Sequence, residues 1–279
     1  MKTILIGEQS IRGSVSGMVS SVSLDTSASP LRYPGGKAKF VRALASHIQS
    51  SRRELVEACA GGASLGLAMM KAELIDELHI NDRDPQVFNF WQVLTSELGI
   101  HMVEWLDKHP EPTHNDFLDA KLTLQSPIRR TKDSKLEHAW AYLLVNRLAF
   151  GGNVQAGPIG GYDSPDDILR SRWDPDELKT RLMFVYDRRA RINVTHWNVL
   201  DMIDGMPKRS ASNITIFFDP PQWKKEKSPY LVNMDLADHR ALMNQVYDYQ
   251  GDLDFLVTLE SDRVGAEWKT LFGEGAVLL

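Results

Sequence analysis

The chain has 279 residues, of which 43% are hydrophobic and 25% charged, so it can bury a sizeable core and is not a wholly disordered chain. Its single cysteine, Cys59, excludes a disulfide framework and any multi-cysteine metal site, and we predict no metal. No apolar run approaches the ~20 residues that cross a bilayer, so we expect a cytoplasmic protein without a membrane partner. The net charge of -5 argues against a uniformly basic nucleic-acid coat, although 32 lysines and arginines still allow a local basic cleft.

The first 29 residues differ from the rest because serine alternates with valine between Ser14 and Leu24. They lack the continuous apolar core of a signal peptide. We interpret residues 1–29 as a flexible or partner-dependent N-terminal arm, with a weak hairpin as the alternative.

From residue 30 the pattern is that of an α/β protein. Residues 54–58 predict a short strand, the glycines that follow predict a turn into a helix at 65–70, and residues 78–82 predict a second strand ending in Asp82. A strand, a glycine turn, a helix and an acid-ended strand form the first half of a nucleotide-binding α/β unit. The glycines do not follow the Gly-x-Gly-x-x-Gly spacing of NAD-binding proteins. They also lack the Gly-Lys-Ser/Thr ending of a P-loop.

The remaining segments predict a helical region inside the α/β pattern. Residues 85–148 have helical periodicity, residues 151–173 are loop-like, and Asp174 predicts the N-cap of a helix over 175–184. The α/β pattern resumes with strands at 191–196, 214–218 and 253–259 and a helix at 236–249. We therefore predict a discontinuous catalytic domain, residues 30–95 and 185–279, with an insert over 96–184.

The sharpest chemical feature is Asp219-Pro220-Pro221, directly after an apolar strand. The prolines remove two backbone donors and leave acceptors: the Asp219 carboxylate and the carbonyl oxygens of Asp219 and Pro220. Acceptors on both N–H bonds of an exocyclic amine stabilise the positive charge that develops as its nitrogen attacks an electrophilic carbon. The alternative is that Asp219 merely caps a turn.

Taken in order, these motifs resemble DNA adenine methyltransferases of the Dam type, in the α-group of amino methyltransferases. The resemblance covers about residues 30–279. It rests on Arg32-Tyr33-Pro34-Gly35-Gly36-Lys37, the Glu57-Ala58-Cys59-Ala60-Gly61-Gly62 turn, Asn81-Asp82, Asn146-Arg147 with Phe150-Gly151-Gly152, and Asp219-Pro220-Pro221. It implies a seven-stranded Rossmann-like fold that binds S-adenosylmethionine, a helical target-recognition insert, and methyl transfer to a flipped-out adenine of double-stranded DNA. It also suggests a bacterial or phage-infected cell, association with the nucleoid, and restriction–modification among the biological roles.

The resemblance also assigns site residues. At the cofactor it places Tyr33 and Lys37 at the methionine end, and Glu57, Ala60 and Gly61 around the backbone of the cofactor. It places Asp82 on the ribose and Asn198 or Asp201 on the adenine. It also places Asp219 beside the cofactor. In the catalytic motif it places Asp219 and Pro220 on the target amine, followed by Pro221 and Gln222. For DNA binding it suggests Arg129, Arg130, Lys132, Asn146, Arg147 and Asn153, although we interpret Asn146 and Arg147 rather as organisers of the loop beside the active site.

Gln222 departs from the family pattern, which has an aromatic residue that stacks on the flipped base. Such stacking contributes roughly 1–3 kcal/mol per base. Trp223 is a candidate replacement. The alternative functions are therefore a catalytically weak or silent DNA-binding or regulatory subunit, and a methyltransferase with another amino acceptor such as RNA.

The end of the chain is the second departure. Residues 275–279 predict the start of a late strand, where family members continue through a hairpin. An apolar sheet edge left uncovered is a liability, so we expect a partner subunit, self-association or the N-terminal arm to cover it.

Overall fold

A computed structural model of the protein describes residues 3–7, 28–33, 41, 53–205, 214–219, 234–249, 254–259, 267–268 and 271. Its centre is a sheet in which every neighbouring pair of strands is parallel, in the order β1-β6-β5-β2-β3-β4. The strands are β1 (Thr3–Gly7), β2 (Glu54–Glu57), β3 (Glu77–Asn81), β4 (Ile192–Thr195), β5 (Ile214–Phe218) and β6 (Asp254–Leu259). This confirms the predicted α/β, Rossmann-like fold class; the described residues hold six of the seven expected strands.

The order of the strands fixes where a ligand can bind. The chain runs outward from β2 to β3 and β4, and then returns to β5 on the other side of β2. Glu57 at the end of β2 lies opposite Ile80 of β3 and Phe217 of β5. In such sheets a crevice opens beyond the carboxyl ends of the strands where the order reverses. Here that point lies between β2 and β5.

Helices cover both faces of the sheet. They are α1 (Ser64–Lys71), α2 (Pro85–Leu94), α3 (Gly99–Lys108), α4 (His114–Gln125), α5 (Lys132–Leu148), α6 (Asp166–Leu169), α7 (Pro175–Asp187), α8 (Val199–Gly205) and α9 (Leu236–Tyr249). The predicted cap is confirmed, since the Asp174 carboxylate accepts from the Glu177 amide at the start of α7. None of the helices in the described part of the chain is both long and apolar enough to span a bilayer.

Two hydrophobic clusters lie on opposite faces of the sheet, as the alternation along β2 requires: Leu55 belongs to one and Val56 to the other. The Leu55 cluster continues without a break into the helices of the insert, where it includes Phe117 and Leu143. The Val56 cluster packs against α8 and α9. The helical insert therefore shares its core with the sheet.

The N-terminal arm differs from the expectation at its first residues. Thr3–Gly7 pairs in parallel with Phe255–Leu259, so among the described strands this part of the arm lies at the edge of the sheet. The arm thus adds a strand beyond β6 through residues 3–7. The valine–serine stretch and residues 275–279 lie outside the described residues.

Candidate active site

A cleft opens at the carboxyl ends of β2, β3 and β5, where the strand order reverses. It encloses about 980 Å³, including the space at its open mouth. Among the residues that line it are seven of those predicted for the site: Tyr33, Glu57, Ala60, Gly61, Asp82, Asn198 and Asp219. The topology brings these residues together from positions up to 186 residues apart, Tyr33 to Asp219.

The glycine turn after β2 forms one wall of the cleft. Gly61 has a φ of 49°, and a Cβ atom there would lie 2.4 Å from the ring of Tyr33, so only glycine fits. The indole Nε1 of Trp91 donates to the Gly61 carbonyl at 2.8 Å, and the Ser29 hydroxyl donates to the Gly62 carbonyl at 2.5 Å. The turn is therefore fixed from both sides.

Asp82 ties the end of β3 to this turn. Its Oδ2 accepts from the Gly61 amide at 2.7 Å and its Oδ1 from the Asp84 amide at 2.9 Å. Burial raises the pKa of Asp82 to about 6, while these two amides act in the opposite direction. The carboxylate is therefore ionised at neutral pH, and its remaining lone pairs can accept from ligand hydroxyls.

Asn81 is a buried clamp between three strand ends. Its amide nitrogen donates to the carbonyls of Ala58 at 2.9 Å and Trp197 at 3.1 Å. Its oxygen accepts from the Trp197 amide at 3.0 Å and from the Thr195 hydroxyl at 2.8 Å. The clamp fixes Trp197, whose side chain is 50% exposed at the cleft. Trp197 was not predicted from the sequence; an aromatic residue two positions after β4 was the available signal.

Asn198 and Asp201 were alternatives for the adenine contact. Asn198 lines the cleft, and its Oδ1 accepts from the Leu200 amide at 3.1 Å at the start of α8. Asp201 lies one turn later on α8, with its side chain exposed, and is not among the residues that line the cleft. The structure therefore favours Asn198 for this contact, and a role for Asp201 stays a prediction.

Asp219 and Glu57 bring two carboxyl groups to adjacent strand ends. The Thr258 hydroxyl of β6 donates to Asp219 Oδ1 at 2.5 Å, which orients that carboxylate. Glu57 accepts from the Gly66 amide. Burial, together with the negative charge of Asp219, raises the pKa of Glu57 to about 8. A cluster of carboxyl groups in a buried cleft favours a cationic ligand.

Cys59 also lines the cleft but does not have the chemistry of a nucleophile. Burial raises the pKa of its thiol far above the usual value, and the charges of Asp82 and Asp219 add to this effect. The thiol is therefore neutral and unreactive at physiological pH.

Comparison with known proteins agrees with this arrangement. The family described as D12 class N6 adenine-specific DNA methyltransferase matches residues 33–230, which is more than half of the chain. The chain belongs to this family. Two relatives, each named DNA adenine methylase, come from the O395 and N16961 strains of Vibrio cholerae serotype O1. Each is 23% identical over 191 residues, covering 68% of this chain and 64% of the relative. The chain thus spans less than two thirds of the length of the curated relatives it matches.

Two of the DNA contacts predicted for this D12-class chain are buried. Asn146 has no exposed surface: its Oδ1 accepts from the Arg32 amide at 2.7 Å, and its nitrogen donates to the carbonyls of Arg32 and Gly152. Arg147 donates through Nε and Nη2 to the Arg172 carbonyl at 3.0 and 2.6 Å. Both side chains bond backbone groups of the loops around the site, as expected of residues that organise the loop. A direct contact of either with DNA stays a prediction.

The other predicted DNA contacts of this family member are spread out. Arg129, Arg130 and Lys132 are exposed at the start of α5, about 21 Å along the helix from Asn146 at a rise of about 1.5 Å per residue. Asn153 is half-buried, and its Oδ1 accepts from the Gln155 amide. Four predicted site residues lie outside the described residues: Lys37, Pro220, Pro221 and Gln222.

The turn after α5 carries an aromatic residue that the sequence analysis quoted but gave no role. Phe150 is 73% exposed. The turn beneath it is held by Asn146, and a Cβ atom on Gly152 would lie 2.3 Å from the Arg32 carbonyl oxygen. An exposed aromatic ring on a fixed turn of a D12-class protein is suited to contact with a base.

Proposed function

We propose that this chain transfers a methyl group from S-adenosylmethionine to the exocyclic amino group of adenine in DNA. The observation that carries the proposal is the convergence of Gly61, Asp82 and Asp219 in one cleft at the strand reversal. Membership of the D12 class gives the reaction its substrate. With DNA as substrate, the protein would act at the nucleoid of a bacterial or phage-infected cell.

The residues of the cleft fit S-adenosylmethionine. The glycine turn forms the wall of the cleft next to Asp82, whose carboxylate would accept from the ribose hydroxyls. The half-exposed ring of Trp197, with Asn198 beside it, offers a flat surface to an adenine ring. When bound, the cofactor supplies an electrophilic methyl group on a cationic sulfonium, a charge that suits the carboxyl groups of this cleft.

Asp219 would act on the target amine. Its carboxylate accepts from an amine N–H, which orients the nitrogen lone pair and stabilises the positive charge that develops on that nitrogen. Thr258 fixes the carboxylate in place through its hydroxyl. The carbonyl of Pro220, a prediction from sequence, would supply the second acceptor.

Replacing Asp219 with alanine tests the role. We expect Asp219→Ala to lower the rate of methyl transfer by about 10²–10³-fold, the typical effect of removing one preorganised electrostatic partner. The measurement is incorporation of labelled methyl groups into unmethylated duplex DNA, with cofactor affinity measured by calorimetry on the same sample. Asp187→Ala, which removes an exposed carboxylate at the end of α7, is the matched control. Turnover at the wild-type rate in Asp219→Ala would refute the assignment.

Gln222 favours a second candidate function, a DNA-binding subunit that transfers no methyl group. The same assay separates the two, because a silent subunit would bind duplex DNA and incorporate no label. The same assay with unmethylated RNA in place of DNA would identify a methyltransferase with a different acceptor.

A further inference from the structure

We propose that Arg32, Arg147, Arg172 and Arg181, the arginine cluster, form a positively charged, phosphate-binding site for the backbone of duplex DNA beside the cleft, in which the exposed Arg172 makes the direct contact and the buried Arg147 contributes only its charge. The inference rests on the proposed function, which supplies DNA as the partner. It adds Arg32, Arg172 and Arg181 to the basic residues that the sequence predicted for DNA binding, which were Arg129, Arg130, Lys132 and Arg147.

Backbone carbonyls hold the arginine cluster together. Arg147 donates to the Arg172 carbonyl, and Arg32 Nη1 donates to the carbonyls of Arg147 at 3.2 Å and Ala149 at 3.4 Å. Arg181 Nη1 donates to the Ser29 carbonyl at 2.9 Å. Carbonyls are neutral acceptors, so they position the guanidinium groups without cancelling their charge.

The charge of the cluster is largely uncompensated. Within the described residues, the one ion pair in the cluster joins Arg181 to Glu177. The pKa of Arg147 is lowered to about 10, chiefly by burial, and the other three arginines together lower it by more than Glu177 raises it. Burial and Arg172 likewise lower the pKa of Arg32. A bound anion would relieve the mutual repulsion of these arginines.

The cluster borders the cleft. Arg32 directly precedes Tyr33, whose ring packs on Gly61 of the glycine turn. Asn146 bonds both the backbone of Arg32 and the turn that carries the exposed Phe150. The backbone of a DNA strand whose base enters the cleft would therefore pass close to the arginine cluster. Phosphate contacts of this kind fix the register of the protein on DNA without reading sequence.

Arg172 is the member to test, since its side chain is exposed and its guanidinium has no hydrogen-bond or ion-pair partner in the described part of the chain. Arg32 and Arg147 also support the local backbone, so replacing either would change the stability of the fold as well as the affinity for DNA. We expect Arg172→Ala to keep the wild-type thermal unfolding midpoint and cofactor affinity.

The experiment is a titration of fluorescently labelled duplex DNA by anisotropy between 50 and 200 mM salt. We expect Arg172→Ala to weaken DNA binding by about 8-fold at 0.1 M salt and to lower the slope of log affinity against log salt by about 0.9, the loss of one phosphate contact. Arg172→Lys keeps the charge and should retain the slope. Arg53→Ala removes an exposed arginine at the amino end of β2, the end of that strand away from the cleft, and is the control with unchanged binding.

Wild-type affinity and slope in Arg172→Ala would overturn the proposal. The proposal would also be overturned if Arg130→Ala lowered the slope of log affinity against log salt and Arg172→Ala did not. The phosphate contacts would then lie at the start of α5. Methyl transfer is scored separately. If Arg172→Ala lowers the salt slope but the wild-type protein transfers no methyl group, the proposed function is contradicted. The arginine cluster would still stand as a phosphate-binding site.

Discussion

Glu57 shows how much of the site's chemistry depends on the surroundings of single residues. Its carboxyl group lies at the end of β2, 3% exposed, beside Asp219 on the neighbouring strand. Burial is the largest cause of its raised pKa, about 8 against an ordinary 4.5. At neutral pH the carboxyl group is therefore mostly protonated, and a cationic ligand in the cleft would favour its ionisation.

This proton makes stability depend on pH. Between about pH 4.5 and 8 the folded state holds a proton on Glu57 that the unfolded state has released, so the free energy of unfolding should fall as pH rises through this window. One proton corresponds to a slope of up to about 1.4 kcal/mol per pH unit. We expect Glu57→Gln to flatten the curve, as measured by urea unfolding at intervals from pH 5 to 8.5. Parallel curves for the two proteins would contradict the prediction.

Asn146 and Arg147 mark the limit of sequence reasoning at this scale. The sequence showed that both residues belong to a motif, and it indicated that they organise the loop beside the active site. Their burial was not, because it follows from the packing of α5 against residues 28–33, more than a hundred positions away. Trp197 was missed for the same reason, since its place at the cleft depends on the Asn81 clamp between strand ends.

At the scale of elements, the turn between β2 and α1 joins the sheet to the cofactor wall of the cleft. Its tight path depends on Gly61, on Tyr33 above it and on the Asp82 carboxylate, which accepts from its amide. A glycine turn after a strand was predicted from the sequence. The packing of Tyr33 on it could not be, because this contact crosses 28 positions of the chain.

Two glycines with similar backbone angles allow the effect of backbone strain on stability to be distinguished from the effect of close packing. Gly61 and Gly151 have φ values of 49° and 66°, and an alanine at either position costs about 1–2 kcal/mol in strain. A Cβ atom at Gly61 would also collide with Tyr33, whereas none of the described atoms lies within 4 Å of one at Gly151. We expect Gly61→Ala to be the more destabilising variant and the one that loses cofactor affinity, measured by urea unfolding and calorimetry. Equal effects from both variants would show that the contact with Tyr33 is unimportant.

For the whole molecule, the local patterns predicted most strands and helices but not their complete assembly. The predicted strand at 214–218 and the predicted helix at 236–249 have the observed bounds, since long apolar or amphipathic runs are strong signals. β1 was missed as a strand. It has five residues, and its partner lies about 250 positions later, so no local pattern reveals the pairing. The hydrophobic core of the insert is continuous with that of the sheet.

The edge position of β1 leads to a prediction about the entire sheet. In an edge strand, successive amides point alternately to the neighbouring strand and away from it, so a proline is tolerated at every second position. We expect Ile4→Pro and Leu5→Pro to differ: one removes a bond to β6 and lowers the free energy of unfolding, and the other leaves it nearly unchanged. Amide exchange across Phe255–Leu259 should show the same contrast, with faster exchange in the destabilised variant alone. Ile4→Ala and Leu5→Ala control for the lost side chains. If both proline variants retained wild-type stability and exchange, residues 3–7 would not contribute to the sheet in solution, and the edge beside β6 would need another cover.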